Sequence, residues 1–259
     1  MSSQPFVSAP PAPPVQPRVR WTLADLVLTG LLTIGLSAAL LLVLALPGLF
    51  GLTLVRDLLN DRPLVLSMII GGTIYLLAVV ATYIVIVRRR RSSWREIGFR
   101  MPPLLALLLT PLLFFGQLLV LMVVNVILMT LIGEFENPQI AALTDPRGFS
   151  WLNFAFVFIV GAIIAPIVEE IVFRGLLYQW LRTHTSAVAA IVVSGMIFSL
   201  VHIYPVVLLP LFAVGVILAA VFEWTKSLWI TIVLHFFQNA MAISVFFLLQ
   251  AYPNLVPQT

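Results

Sequence analysis

Two glutamates, Glu169 and Glu170, stand side by side in the apolar run Ala165-Pro-Ile-Val-Glu-Glu-Ile-Val-Phe, and Arg174 follows one helical turn after the second. A carboxylate at the centre of a bilayer costs about 2.5–3.5 kcal/mol, so two adjacent ones need both compensation and a purpose. Glu170 and Arg174 are four residues apart with the acid on the N-terminal side, the favourable order for a helical ion pair. Glu170 is therefore expected to be structural. Glu169 lies on a neighbouring face with no cation near it in sequence. Apolar surroundings favour the neutral form of a carboxyl, which suits a general base working near neutral pH. Later apolar runs carry His202, with Phe198 one turn before it, and the i,i+4 pair His235 and Asn239. Singly, each of these reads as interhelical hydrogen bonding, as Gln238 does. Together, at convergent depth, they can meet in one cavity. His184 falls in a polar turn and is expected to be solvated, while Tyr178 and Trp180 read as interfacial anchors or packing.

The elements that must position these groups are membrane helices. Of the 259 residues, 61% are hydrophobic and 9% charged, against about 25% charged in soluble domains; the mean hydropathy is +1.12. The apolar runs are continuous rather than alternating, which favours helices over a barrel. The fold class is all-α, a polytopic transmembrane bundle of seven to eight helices. Spans are expected at 22–47, 64–87, 104–132, 152–181, 187–204, 206–223 and 227–250. Residues 1–20 form a Pro-rich tail expected to be disordered and cytoplasmic, 21–149 hold helices one to three, 150–250 form the catalytic core, and 251–259 are a C-terminal tail. Pro166 removes a backbone donor and is expected to open or kink the fourth span near Ala162. Cysteine is absent, which excludes disulfides, thiolate metal sites and a cysteine nucleophile. No internal repeat supports an inverted-repeat transporter.

Depth brings the polar residues together. Glu169 and His202 each lie about 16 residues from the turn at Thr185–Ser186, roughly 25 Å along neighbouring antiparallel helices. His235 lies roughly 15 Å beyond the next turn, and tilt can bring it level. The basic cluster Arg88 to Arg91, with Arg95, is expected on the cytoplasmic side, which puts the N-terminus there too and the loop Gly133–Trp151, with Glu134, Glu136 and Asp145, outside.

In order along the chain, Glu169-Glu170-x-x-x-Arg174, Phe198-x-x-x-His202 and His235-x-x-x-Asn239 resemble the signature of the CPBP intramembrane proteases, which include CAAX prenyl endopeptidases and bacterial Abi proteins. The resemblance covers about residues 150–245. It implies an intramembrane endopeptidase in which Glu169 and His202 activate a water and His235 and Asn239 stabilise the oxyanion, with Glu170, Arg174 and Phe198 in support. The substrate implied is a membrane-embedded or lipidated peptide or protein, met within the lipid bilayer of a prokaryotic plasma membrane at a site opening toward the cytoplasm; nucleic acid is not a partner. The cofactor is none or zinc. Were zinc bound, Glu169, His202 and His235 would be its ligands, although the helical His-Glu-x-x-His pattern is absent. Two other functions fit the same residues: a non-catalytic immunity or scaffold protein, and a proton-coupled transporter.

Overall fold

The computed structural model describes residues 19–49, 61–133, 135, 137–145 and 147–255. The predicted tail up to Arg18, the acids Glu134 and Glu136, and the last four residues lie outside them. Seven main helices follow the apolar runs: α1 Leu23–Leu49, α2 Pro63–Arg89, α3 Leu104–Ile132, α4 Trp151–His184, α5 Ala187–Leu200, α6 Leu208–Thr225 and α7 Leu228–Ala251. Six of them are long and apolar enough to cross a membrane, α6 being extended by a tight turn from Pro205. The protein is a multi-pass integral membrane bundle, and no eighth span occurs among the described residues.

The fifth span corrects the expectation of 187–204. α5 has 14 residues, about 21 Å at 1.5 Å per residue, short of a hydrocarbon core of about 30 Å. Pro205 disfavours helical backbone at the residue before it, and Tyr204 is extended, with Ile203 left-handed at φ 57°. His202 therefore sits in the turn at the tip of a short α5–α6 hairpin rather than on a helix. The hairpin closes through two glycines. A Cβ on Gly195 would come within 2.9 Å of the Val216 nitrogen, and one on Gly215 within 2.8 Å of the Gly195 Cα. Without a hydrophobic drive between helices in lipid, such close backbone approach is what van der Waals packing requires.

α4 is not uniform. Its α-helical turns are interrupted by wider π-wound stretches at Phe158–Ile164 and Ile171–Tyr178. The first ends just before Pro166. The proline has no N–H to offer the carbonyl of Ala162, so the backbone widens on the turn whose bond is missing. The second begins directly after Glu170, and π-turns of this kind recur at functional sites.

The arginine-bearing end is sealed. The short helix Trp94–Ile97 carries a capping box between Ser93 and Glu96 and is tied down by Gln179 Nε2 donating to the Ile97 carbonyl at 2.7 Å. Its Ile97 fills the gap over Gly175, where a Cβ would lie 2.7 Å from the isoleucine side chain. Trp21, Leu176, Tyr178, Phe222 and Leu228 complete a buried core there. Tyr178, read from sequence as an anchor or packing residue, is buried and donates to Glu223 at 2.7 Å. At the opposite end the loop before α4 is pinned by buried Asp145, which accepts from Arg147 Nη2 at 2.9 Å and Asn153 Nδ2 at 2.8 Å. The Arg147 guanidinium holds the Asp145 carboxyl well below the usual carboxylate range.

Candidate active site

Helix winding divides the adjacent glutamates. Glu170 and Arg174 are fully buried and joined by Nη1 donating to Oε1 at 2.7 Å. Arg174 also donates through Nη2 to the Gly215 carbonyl at 3.2 Å and lies 4.6 Å from the centre of the Phe198 ring. It thereby connects α4, α5 and α6. Glu169 keeps 14% of its side chain exposed and looks into a cavity. Its Oε1 accepts a hydrogen bond from the Tyr75 hydroxyl of α2 at 2.7 Å.

His235 stands between the two acids. Its Nδ1 is 3.1 Å from Glu170 Oε1, and its Nε2 is 3.8 Å from Glu169 Oε2. A carboxylate can only accept, so Nδ1 carries a proton and donates it to Glu170. The His235 Nε2 faces Glu169 Oε2. His202 follows the same logic. Its Nδ1 is 2.7 Å from the Phe198 carbonyl, an acceptor only, so the proton resides on Nδ1 and Nε2 is left with its lone pair. Phe198 packs against both imidazoles, at centroid distances of 4.9 Å to His202 and 5.9 Å to His235. Asn239 donates one amide hydrogen to the Gly161 carbonyl at 2.9 Å, on the π-wound stretch of α4, and retains a second.

Glu169, His202, His235 and Asn239 all line one cavity of about 340 Å³, whereas Glu170 and Arg174 lie behind its wall. The cavity is also lined by Tyr75 and Gly71 from α2 and by Gln139 and Ile140 from the loop helix Pro138–Ala141. Tyr75 carried no signal in the sequence, since it lies 94 residues from its partner with no motif around it. Gln238, expected as helix glue, bonds to Gln117 of α3. Among the described residues no group of three His, Asp or Glu side chains that could hold a metal ion is gathered. The direction of the cavity conflicts with an expectation. It runs toward the ends where α2 and α4 begin, away from the arginine cluster, so a site opening toward the cytoplasm and a cytoplasmic arginine cluster cannot both hold.

Residues 151–241 match the family described as type II CAAX prenyl endopeptidase Rce1-like. The likeness to that family is confined to this stretch. Two curated bacterial proteins are similar across it. One is the "Putative membrane peptidase YdiL" of Bacillus subtilis (strain 168), 34% identical over 85 residues, which cover 33% of this chain and 35% of that protein. The other is the "Membrane-embedded CAAX protease MroQ" of Staphylococcus aureus (strain USA300), 34% identical over 94 residues, covering 34% of this chain and 38% of that protein. The chain therefore matches a little over a third of the length of these relatives. No solved structure matches. The matched stretch contains every site residue expected from sequence, but neither Tyr75 nor the loop helix that lines the cavity.

Proposed function

We propose that the protein is an intramembrane endopeptidase that hydrolyses peptide bonds of membrane-associated polypeptides without a metal. The observation that carries this reading is the convergence of Glu169, His202, His235 and Asn239 on one cavity, with the Nδ1 of each imidazole and one Asn239 N–H already engaged and their other polar atoms left for a substrate. A water between Glu169 and His202 gives up one proton as its oxygen bonds to the scissile carbonyl carbon. The carbonyl oxygen becomes an oxyanion, met by the His235 imidazole and the second Asn239 N–H, groups pre-placed in a water-poor site. The intermediate then collapses, the C–N bond breaks, and the proton passes to the leaving nitrogen. Glu170 acts as a positioning residue: it fixes the His235 tautomer, and Arg174 keeps it charged. Tyr75 occupies Oε1 of Glu169, which leaves Oε2 to take the proton.

The test is cleavage of a membrane-peptide library by purified wild-type and Glu169→Ala protein, each with and without exhaustive chelation. Cleavage by the wild type, unchanged by chelator and lost in the variant, is expected. Loss on chelation restored by zinc overturns the metal-free chemistry. Full cellular function in a stably expressed Glu169→Ala protein overturns catalysis and leaves an immunity or scaffold role.

A further inference from the structure

The cavity has a direction, and its two ends differ in charge and packing. From α2 it is lined by Met68, Gly71 and Tyr75, all near the helix start at Pro63. From α7 the lining runs from His235 to Ile243, toward the helix end at Ala251. Gln139 and Ile140 of the loop before α4 lie over it. Each of these stands on the side of Glu169 where α4 begins. On the other side the way is blocked by the fully buried Glu170 and Arg174 and then by the core around Ile97, Leu176 and Leu228.

Charge identifies the two ends. Among the described residues Arg20, Arg88 to Arg91, Arg95, Arg100, Arg182 and Lys226 lie at the sealed end, and Arg62 and Arg147 at the end where the cavity lies. An excess of Lys and Arg in short loops marks the cytoplasmic side. We infer that the site opens to the non-cytoplasmic face and takes polypeptide segments presented there, after translocation, rather than cytoplasmic tails. That such segments are cut rests on the proteolytic reading above; the direction of opening does not.

The chain contains no cysteine, so single cysteines can be read without background. Ala142→Cys marks the loop over the cavity, Ala242→Cys the cavity wall and Arg95→Cys the sealed end; all three positions are exposed and outside the catalytic set. Intact cells are treated with a charged, membrane-impermeant thiol reagent, and labelling is compared with that in inside-out vesicles. Ala142→Cys and Ala242→Cys are expected to react in intact cells and Arg95→Cys only in vesicles. Reaction of Arg95→Cys in intact cells overturns the orientation. Reaction of Ala242→Cys from the Arg95 side, or from neither side, overturns the direction of the cavity. In a second arm, library peptides are added to each preparation, and cleavage is expected only from the face on which Ala142→Cys reacts. Absence of cleavage from both faces counts against the protease reading and leaves the labelling result readable.

Discussion

Replacing each of the adjacent glutamates by its uncharged isostere should separate stability from catalysis within two consecutive residues. Glu170→Gln keeps an oxygen for His235 and Arg174 but removes the charge opposite a guanidinium with no solvent exposure. At an effective dielectric of about 20, two unit charges about 4 Å apart attract by about 4 kcal/mol, and orphaning one partner of a buried pair costs about 3–5 kcal/mol. The contacts of Arg174 with Gly215 and Phe198 remain but supply no counter-charge. At about 2–4 °C per kcal/mol for a chain of this size, the thermal midpoint should fall by about 10 °C. Glu169→Gln keeps the acceptor for Tyr75 and strips a charge that no guanidinium contacts, so its stability should stay within about 1 kcal/mol of the wild type. Its hydrolytic rate should fall by about 10²–10⁴-fold, the usual contribution of a positioned base. Both readouts come from one purified preparation, thermal unfolding in detergent beside peptide cleavage. Pairing Glu170→Gln with Arg174→Met should recover part of the loss, because apolar replacement of a whole buried pair is often tolerated. Equal destabilisation by the two single variants, or a fully active Glu169→Gln protein, would refute the division of roles.

Three further outcomes are expected. Tyr75→Phe removes a hydrogen bond to a charged acceptor worth about 1.5–3 kcal/mol of stability, so the thermal midpoint should fall by about 3–10 °C; kcat/KM should drop as well, and an unchanged kcat/KM would remove Tyr75 from the site. Gly195→Ala forces a methyl against the α6 backbone and should cost about 1–3 kcal/mol by thermal unfolding, whereas Gly116→Ala, with open space around it, should cost far less. Asp145 has a folded-state proton affinity below its unfolded one, so its contribution is fully present above the unfolded value of about 3.9 and lost as pH falls through the lower folded value. Asp145→Asn should therefore be less stable than wild type at neutral pH, with the gap narrowing only below about pH 4 in a pH series of unfolding midpoints.

Much of the bundle was legible because lipid-facing helices leave long apolar runs that no other architecture explains. The ion pair was legible for a local reason, the four-residue spacing of Glu170 and Arg174. What escaped was non-local. Tyr75 meets Glu169 only after α2 packs beside α4. The end of α5 at Leu200 depended on the backbone constraint from Pro205, whereas hydropathy continued without a break through Val201. Pro166 foretold a disturbance near Ala162, but not that the widening extends over Phe158–Ile164. Nor did it foretell a second widening after Glu170, where no proline stands. Depth counted along ideal helices placed His235 about 10 Å from the level of Glu169, yet the two are 3.8 Å apart, because crossing and winding shift residues along the membrane normal.

On the proteolytic reading, the short α5 has a consequence for what would be cut. A peptide bond inside a helix has its carbonyl engaged and its faces covered, so it must be pulled into extended form before water can reach it. α5 by itself is about 9 Å shorter than the hydrocarbon thickness, and a mismatch of that kind is met by local thinning of the bilayer, which would let water reach backbone that lipid would otherwise keep coiled. A helix docking beside His202 meets that wet notch at its own end, where fraying is cheapest. Polypeptides with glycine, proline or polar residues near one end of an apolar segment should therefore be cleaved first, with stiff, uniformly apolar helices passing uncut.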